Sequence, residues 1–535
     1  MSARHWAQVG LTAVLAAGGV SMLSARCARA DDYSDLLDIL RAKGALTQVE
    51  YSTLLAKHRH HAAEPASAEG PRRGRGAAGR HAGVATAEAA SDGAVMPAVV
   101  AAQRAADSAA ASARAAEASM LAARSTIDSP SVVRVDPYVS GKGLTFKAGQ
   151  IDINFSGFIN GFYSYNSPGR GQAVAGGLSS GGSGFDSSAV RNGLLPAGFI
   201  LKLSTTQSGI DMSAVLGMYP GLNNANPGAF NANSGGSPVG LGTAGIDLRQ
   251  VYLTAGTKTF GTVKLGRDLA LFGSDAILND ATLLSVGSTG SNTAPANTSL
   301  GRIGLGYVYA DWIPQISYAS PVVKGFQGSV GVFQPLDAFN FAGGGLSAQS
   351  TQHSSPMVQG KITYDFKIGE LSTRIWSSFL IQHQQGLTST LLSEEERRGA
   401  MAEAGEIGAK LTYGAAQAVV YYYRGSGLGT TGLFFDGVAA NGHKRDSEGY
   451  YVQGAYNFTK RFKLVGSYGV SNLYLASGDT AVGLVRRNES EVGAAYYDLT
   501  DWLKLVAEFA HTDAAAHNGN AARDNTVSGG AILFF

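Results

Sequence analysis

Ile151-Asp152-Ile153-Asn154-Phe155-Ser156 alternates apolar and polar side chains one for one. Successive side chains of an extended strand point to opposite faces, so this stretch has one oily face and one wet face. The same parity continues through Ile159, Tyr163 and Tyr165 against Asn160 and Ser164. It returns at Val358, Gly360, Ile362, Tyr364 and Phe366 against Gln359, Lys361, Thr363 and Asp365, and again at Leu503, Leu505, Ala507 and Phe509 against Lys504 and Glu508. The spacing predicts strands near 150–166, 196–207, 210–219, 245–256, 260–268, 301–320, 325–334, 356–367, 370–383, 404–414, 416–424, 447–458, 460–470, 488–498, 502–512 and 525–535. The fold class is therefore all-β from about residue 145 to 535.

Alternation alone does not separate a soluble sandwich from a membrane barrel, since sandwich strands alternate too. Connection length does. Short connections such as Ser208-Gly209, the Pro321–Gly325 turn and Thr459 alternate with long ones at 167–195, 220–244, 269–300, 335–355, 384–403, 425–446, 471–487 and 513–524. An even-stranded transmembrane antiparallel barrel of about 16 strands has short turns on the periplasmic side and long loops outside. A sandwich has no reason to place its long loops at one end.

Composition agrees. The 535 residues include 71 Gly, 22 Tyr and 22 Phe, and only 15% are charged, which fits many turns and long surface loops. After the first 30 residues no apolar run reaches the length of a membrane helix, so a membrane crossing requires a closed barrel, the other backbone arrangement that satisfies itself in lipid. The net charge of +2 gives no reason to expect a nucleic-acid partner. Tyr421, Tyr422, Tyr423, Tyr450, Tyr451, Tyr496, Tyr497 and Trp502 lie near strand ends, where interfacial girdles of aromatic residues sit. The chain closes on Ala531-Ile532-Leu533-Phe534-Phe535, an alternating strand with a terminal aromatic, which resembles the assembly signal of outer-membrane barrels.

The N-terminal third reads differently. Arg4 and His5, the apolar run Val9–Leu23 and Ala28-Arg29-Ala30 make residues 1–30 a secretory signal peptide. Cys27 is the sole cysteine and falls inside it, so the mature chain has no thiol nucleophile, disulfide or Cys-based zinc site. Residues 31–59 read as a small helical hairpin, with Leu36, Leu37, Ile39 and Leu40 on one face and Thr47–Glu50 as a capping box. Residues 60–95 form a low-complexity basic linker. His58, His60 and His61 belong to that solvated stretch rather than to a metal site, because exposed histidine runs lack fixed partners. Residues 96–135 contain an Ala-rich helix that could associate as a coiled-coil stalk. Residues 31–135 are expected in the periplasm, where they could touch the cell wall, brace a trimer or plug the pore mouth.

Arg249-Gln250-Val251-Tyr252-Leu253 and Phe260-Gly261-Thr262-Val263-Lys264-Leu265-Gly266-Arg267 resemble the paired strands that precede the constriction loop of general trimeric porins of Gram-negative outer membranes. Ile316–Pro321 and Gly325–Gly328 resemble the segment after that loop. The resemblance covers about 145–535. The extension 31–135 and the stretch Gly304–Pro314 depart from the family pattern. The resemblance implies an outer-membrane homotrimer, bounded by lipid, that passes small hydrophilic solutes and ions through an aqueous lumen, with the third long loop folded inward as the constriction.

That loop, read as 268–300, carries Asp268, Asp275 and Asp280, while Lys202, Arg249, Lys264 and Arg302 have lumen parity on the wall, as do Lys361, Arg374 and Lys410. Acid facing base across a narrow lumen makes a transverse field that orients dipolar solutes and tunes ion selectivity. Arg267 has the outward parity at a strand end and is expected at a subunit contact, paired with a neighbour's second loop. Three other readings compete. A substrate-selective channel for phosphate or sugars calls for a basic ladder or an aromatic slide, and lumen-parity Trp376 permits the latter. A structural, wall-tethering role rests on residues 31–135. A barrel enzyme is disfavoured, since no H-E-x-x-H, G-x-S-x-G or P-loop occurs and the barrel histidines lie in loops or at strand ends. No cofactor or metal is expected.

Overall fold

The computed structural model describes residues 107–122 and 132–535, apart from 170, 183–184, 225–243, 294 and 393–397. The signal peptide, the helical hairpin and the basic linker expected over 1–95 lie outside the described residues. Residues 107–122 are helical and exposed along their length. The Ala-rich helix expected over 96–135 does not run to its predicted end: Val133–Val135 is instead strand β1, paired antiparallel with β2 (Leu144–Ala148).

The alternating sequence folds into one sheet closed on itself. Its strands are β3 (Ile151–Pro168), β5 (Gly198–Gln207), β6 (Ile210–Asn224), β7 (Ala244–Thr257), β8 (Gly261–Leu269), β9 (Trp312–Ala319), β10 (Phe326–Phe333) and β11 (Met357–Ile368), then β12 (Leu371–Gln384), β13 (Ala400–Tyr413), β14 (Ala416–Ser426), β15 (Asp446–Asn457), β16 (Phe462–Leu473), β17 (Val485–Asp498), β18 (Leu503–Ala516) and β19 (Ala521–Phe534). A short strand, β4 (Ser187–Arg191), pairs with the upper half of β3. Each of the sixteen long strands pairs antiparallel with its sequence neighbour, and β19 returns to β3. The chain is a closed 16-stranded antiparallel β-barrel, which leaves no strand edge unpaired in the ring.

Along the strands burial alternates as the sequence does. On β14 Val419, Tyr421 and Tyr423 are buried while Val420 and Tyr422 are exposed. The outward band carries Leu216, Leu253, Leu265, Ile316, Val332, Ile362, Ile407, Val452, Leu505 and Phe509, an apolar belt suited to hydrocarbon. Among the described residues no helix is long and apolar enough to cross a membrane; the strands do the crossing. Phe260, Tyr413, Tyr456, Phe458 and Trp502 stand exposed at the short-turn end, where a girdle of aromatic residues is expected. The tyrosines expected in girdles divide by parity: Tyr422, Tyr450 and Tyr497 face out, whereas Tyr421, Tyr423, Tyr451 and Tyr496 face in and are buried.

The turns explain the tight end. Ser208 and Gly209, both at positive φ (51° and 78°), join β5 to β6, the twist a two-residue hairpin requires. Two boundaries differ from expectation. The strand read at 301–320 is only β9, because 301–311 folds into the preceding loop; its Gly301, Gly304 and Gly306 adopt positive φ that a strand does not use. The last external loop, expected at 513–524, shrinks to 517–520 as β18 and β19 extend.

The ring closes where the two ends of the barrel sequence meet. The Gly157 amide donates to the Phe535 carbonyl at 2.9 Å, and the Phe535 amide donates back at 3.0 Å. The Phe535 ring packs against Phe155 and Phe199 at centroid distances of 5.5 and 5.9 Å. Below this point β2 lies beside β3 where β19 has ended. The buried apolar cluster is inside the barrel, where Phe272, Ala276, Tyr307, Val308, Trp376, Leu380, Val419, Tyr421, Leu428 and Phe434 join inward loops to the wall.

Candidate functional site: the loop-lined lumen

The third long connection, 270–311, turns inward and runs along the wall. Phe272 and Leu271 amides donate to the Gln359 side chain on β11 at 2.8 and 2.9 Å. The Gly273 amide meets Glu406 on β13 at 2.9 Å, and Glu406 also accepts from Ser378 and Tyr421, each at 2.6 Å. A one-and-a-half-turn helix, Ser274–Asn279, follows. Tyr451 donates to the Ala276 carbonyl at 2.9 Å, Gln453 grips Asn279 and Ala281 at 2.9 and 2.8 Å, and Tyr496 reaches the Ala281 carbonyl at 2.7 Å. Glu508 on β18 accepts from Ser285, Val286 and Gly287. Arg191 of β4, fully buried, holds the far limb by donating to the carbonyls of Thr289, Ser291 and Thr298 at 2.7–2.9 Å. Buried carboxylates are tolerated here because each accepts several hydrogen bonds.

The predicted charges fall into three groups. Asp275 is the loop acid that meets basic wall residues: Lys361 lies 2.8 Å from one carboxylate oxygen and Arg374 3.1 Å from the other, with Arg374 also 3.2 Å from Asp365. These pairs are in contact on one side of the lumen rather than facing each other across it. Three strands round the ring from Lys361, on β8, Lys264 pairs with Asp268, and Gln250 donates to Asp268 at 3.0 Å. Asp268 is thus a wall residue of β8, not a loop residue. Lys202 is exposed on β5 and makes no ion pair or side-chain hydrogen bond among the described residues.

The third group is sealed from the lumen. Arg302 belongs to the loop rather than the wall; its side chain is fully buried, donates to Ser467 and the Leu305 carbonyl, and lies 5.5 Å over the Tyr451 ring. Asp280 caps the turn Ala281–Leu284 and accepts from Thr282 and, at 2.9 Å, from Tyr307. Arg249 is buried 3.1 Å from Asp247. Its position exposes a β-bulge: Gly217 faces Gln250 and Met218 faces Leu248, leaving Arg249 as the extra residue. The bulge lets Arg249 and Gln250 both point inward, which parity counting does not allow. Trp376 is buried with its ring over Gly408, so it is packing under the loop and not a surface on which sugars slide.

A profile of the Gram-negative porin family matches residues 98–517. The chain belongs to the Gram-negative porin family. Among solved structures the porin is similar to the outer-membrane channel DcaP of Acinetobacter baumannii (TM-score 0.54, 15% identity, covering 74% of this chain and 100% of that one). It is also similar to the OmpF of Salmonella typhi solved with daunomycin (TM-score 0.46, 10% identity, 73% and 100%). At 15% identity the likeness to DcaP shows the fold alone. No curated protein matches it in sequence. This porin is an outer-membrane β-barrel channel.

Sequence reasoning missed a second inward loop of the porin, 427–445, nearly all of it buried. It meets the third loop where the Tyr309 amide donates to the Thr431 carbonyl at 2.9 Å. Arg445, fully buried, ties three external loops: it pairs with Asp479 at 2.6 Å and donates to Ser347, the Asp436 carbonyl and the Leu346 carbonyl at 2.7–2.9 Å. Burial raises the Asp436 carboxyl above its ordinary value, against the opposing pull of Ser347 and Arg445. The loop's signal in sequence was its composition: Leu433, Phe434 and Phe435 are too apolar for a solvated loop.

Proposed function

We propose that this porin passes small hydrophilic solutes and ions by passive diffusion, with loop 270–311 as the size-limiting constriction. The observation that carries the reading is the continuous attachment of that loop to the inner wall from Gln359 to Glu508. A loop anchored at so many points narrows the lumen permanently instead of flapping in it. The charges left to meet a solute are Lys361, Arg374, Lys264 and Lys202, with Asp275 and Asp268 buried as partners of the first three, while Asp280 and Arg302 brace the loop from behind and Arg249 is sealed against Asp247.

Proteoliposomes containing the folded, full-length chain should swell in small sugars and fail to swell in larger oligosaccharides. Heat-modifiable, folded protein that gave neither swelling in any sugar nor ion current in a planar bilayer would end the diffusion-channel reading.

The working unit is a homotrimer in this reading, with Arg267 beside the contact. Arg267 has the outward parity, and its guanidinium donates to the Trp312 carbonyl at 2.7 Å, which holds the side chain at the end of β8. Arg267→Ala should lower the temperature at which the oligomer dissociates on gels by several degrees. Dissociation at the wild-type temperature would leave Arg267 as a local clamp on β9 with no part in assembly.

A further inference from the structure

Loop 270–311 is charged in sequence and uncharged at its surface. Its charged residues are Asp275, Asp280, Arg302 and Asp311, and all four are buried. Between Leu271 and Leu284 every residue that is not buried is aliphatic, except Asn279. Leu278 is 58% exposed. Leu283 and Leu284 of the following turn, Ala281–Leu284, add partly exposed aliphatic carbon. The helix that carries Leu278 is fastened to the wall by its other side. Ala276 and Ile277 are buried in the inner apolar cluster, Tyr451 donates to the Ala276 carbonyl at 2.9 Å, and Gln453 donates to the Asn279 carbonyl at 2.9 Å. An exposed side chain on an element fastened inside a closed barrel faces the lumen, so Leu278 points where a solute passes. The partly exposed cations Lys264, Lys361 and Arg374 belong to strands of the wall. Charge therefore comes from the wall and carbon from the loop.

A leucine on the outside of a protein is ordinary. At a narrowing it is not, because each solute has to pass close to it. An aliphatic side chain neither donates nor accepts a hydrogen bond. A polar group squeezed against it gives up water and receives nothing in return. An alkyl or aryl group gains there, since two apolar surfaces leave water together. We propose that Leu278 is a specificity-determining residue of the constriction, favouring solutes that carry a compact alkyl or aryl group over equally sized solutes that are polar throughout. The preference is independent of the solute's net charge, because the loop surface that makes it has none. The contact is weak, since only one face of the solute is covered, and weak contact lets the solute leave again.

The inference rests on the channel reading above, and its test keeps the two apart. The full-length porin is placed in liposomes, and swelling is followed in free glycine, leucine and asparagine, with the rate of protein-free liposomes subtracted. Free leucine and asparagine are zwitterions of nearly equal mass and no net charge; glycine reports that the pore is open. Wild type should admit leucine faster than asparagine. Leu278→Asn keeps the size of the side chain and removes its apolar surface. It should lower the leucine-to-asparagine ratio about threefold, as expected for the loss of one methylene-sized contact. Leu278→Met keeps the apolar surface and should hold the wild-type ratio. Both variants should stay heat-modifiable, because the side chain they replace is exposed. A ratio that Leu278→Asn leaves unchanged, or a wild type that admits asparagine as fast as leucine, overturns the role of Leu278 while glycine entry shows the channel intact. Folded wild type that admits none of the three overturns the channel reading, and the role of Leu278 with it.

Discussion

Replacing Glu406 and Glu508 together by alanine should detach the constriction loop and widen the pore. Each carboxylate is buried and accepts from backbone amides of the loop: Gly273 for Glu406, Val286 and Gly287 for Glu508. Ser285 adds a hydroxyl donor to Glu508. Removing one partner of a buried hydrogen bond leaves the other unsatisfied, at about 1–3 kcal/mol for each group. Four orphaned loop donors exceed what the remaining contacts of a largely irregular segment can hold, so the loop is expected to leave the wall or become hydrated in place. The measurements are single-channel conductance and liposome swelling. Conductance should rise several-fold, and oligosaccharides excluded by the wild type should enter. Glu508→Gln should fall between, since a carboxamide keeps one acceptor but turns its NH2 toward amide donors. Unchanged conductance and unchanged sugar exclusion in the double alanine variant would show that the loop does not set the pore.

The second large effect is expected at the seam. A Cβ on Gly157 would lie 2.4 Å from the Gly198 carbonyl oxygen and 2.5 Å from the Phe535 ring. The first is a backbone atom of the neighbouring strand and the second is the residue that completes the ladder between β19 and β3. Gly157→Val therefore forces the closing strands apart, at about 1–3 kcal/mol of overpacking plus the lost paired hydrogen bonds. In a barrel the loss is not local, because an unclosed ring exposes two strand edges to lipid. Refolding into detergent micelles should give mostly the species that runs unshifted on gels without heating. Gly161→Ala, two turns of the pleat along β3, is the comparison. Its Cβ would meet only the Leu222 side chain at 3.5 Å, and wild-type folding is expected. Normal heat-modifiability of Gly157→Val would mean that the seam tolerates separation.

The barrel was readable because each strand repeats the same local instruction. Leu503, Leu505, Ala507 and Phe509 face out on β18 and Lys504 and Glu508 face in, as alternation alone requires. Parity also assigned Lys264 and Lys361 to the lumen. Where parity stumbled, at Arg249 and Gln250, a bulge had inserted one residue, and nothing local to those side chains announces the extra residue. The strand assigned to 301–320 failed for a related reason. Ile303, Leu305, Tyr307 and Tyr309 alternate with smaller or polar neighbours as a strand would, yet they are buried against the inner wall as part of an inward loop.

The functional charges were less legible than their positions. Asp275 and Asp280 lie five residues apart on one loop and look alike in sequence. Both are buried, but one is held by Lys361 and Arg374, whose side chains are partly exposed, and the other is closed in by Thr282 and Tyr307. Glu508 was visible as an inward acid, but its partners are more than 220 residues away in the chain.

By itself the sequence determined the class, the number of strands and the facing of nearly every strand residue, because a two-residue period and an outer solvent of hydrocarbon act on each strand separately. Tertiary structure alone decided which inward charges touch water, which are sealed behind a loop, and where the ring locks at Gly157 and Phe535. Those outcomes depend on how a long loop folds back against strands distant in sequence, where burial and hydrogen-bond partners are properties of the meeting and not of either segment.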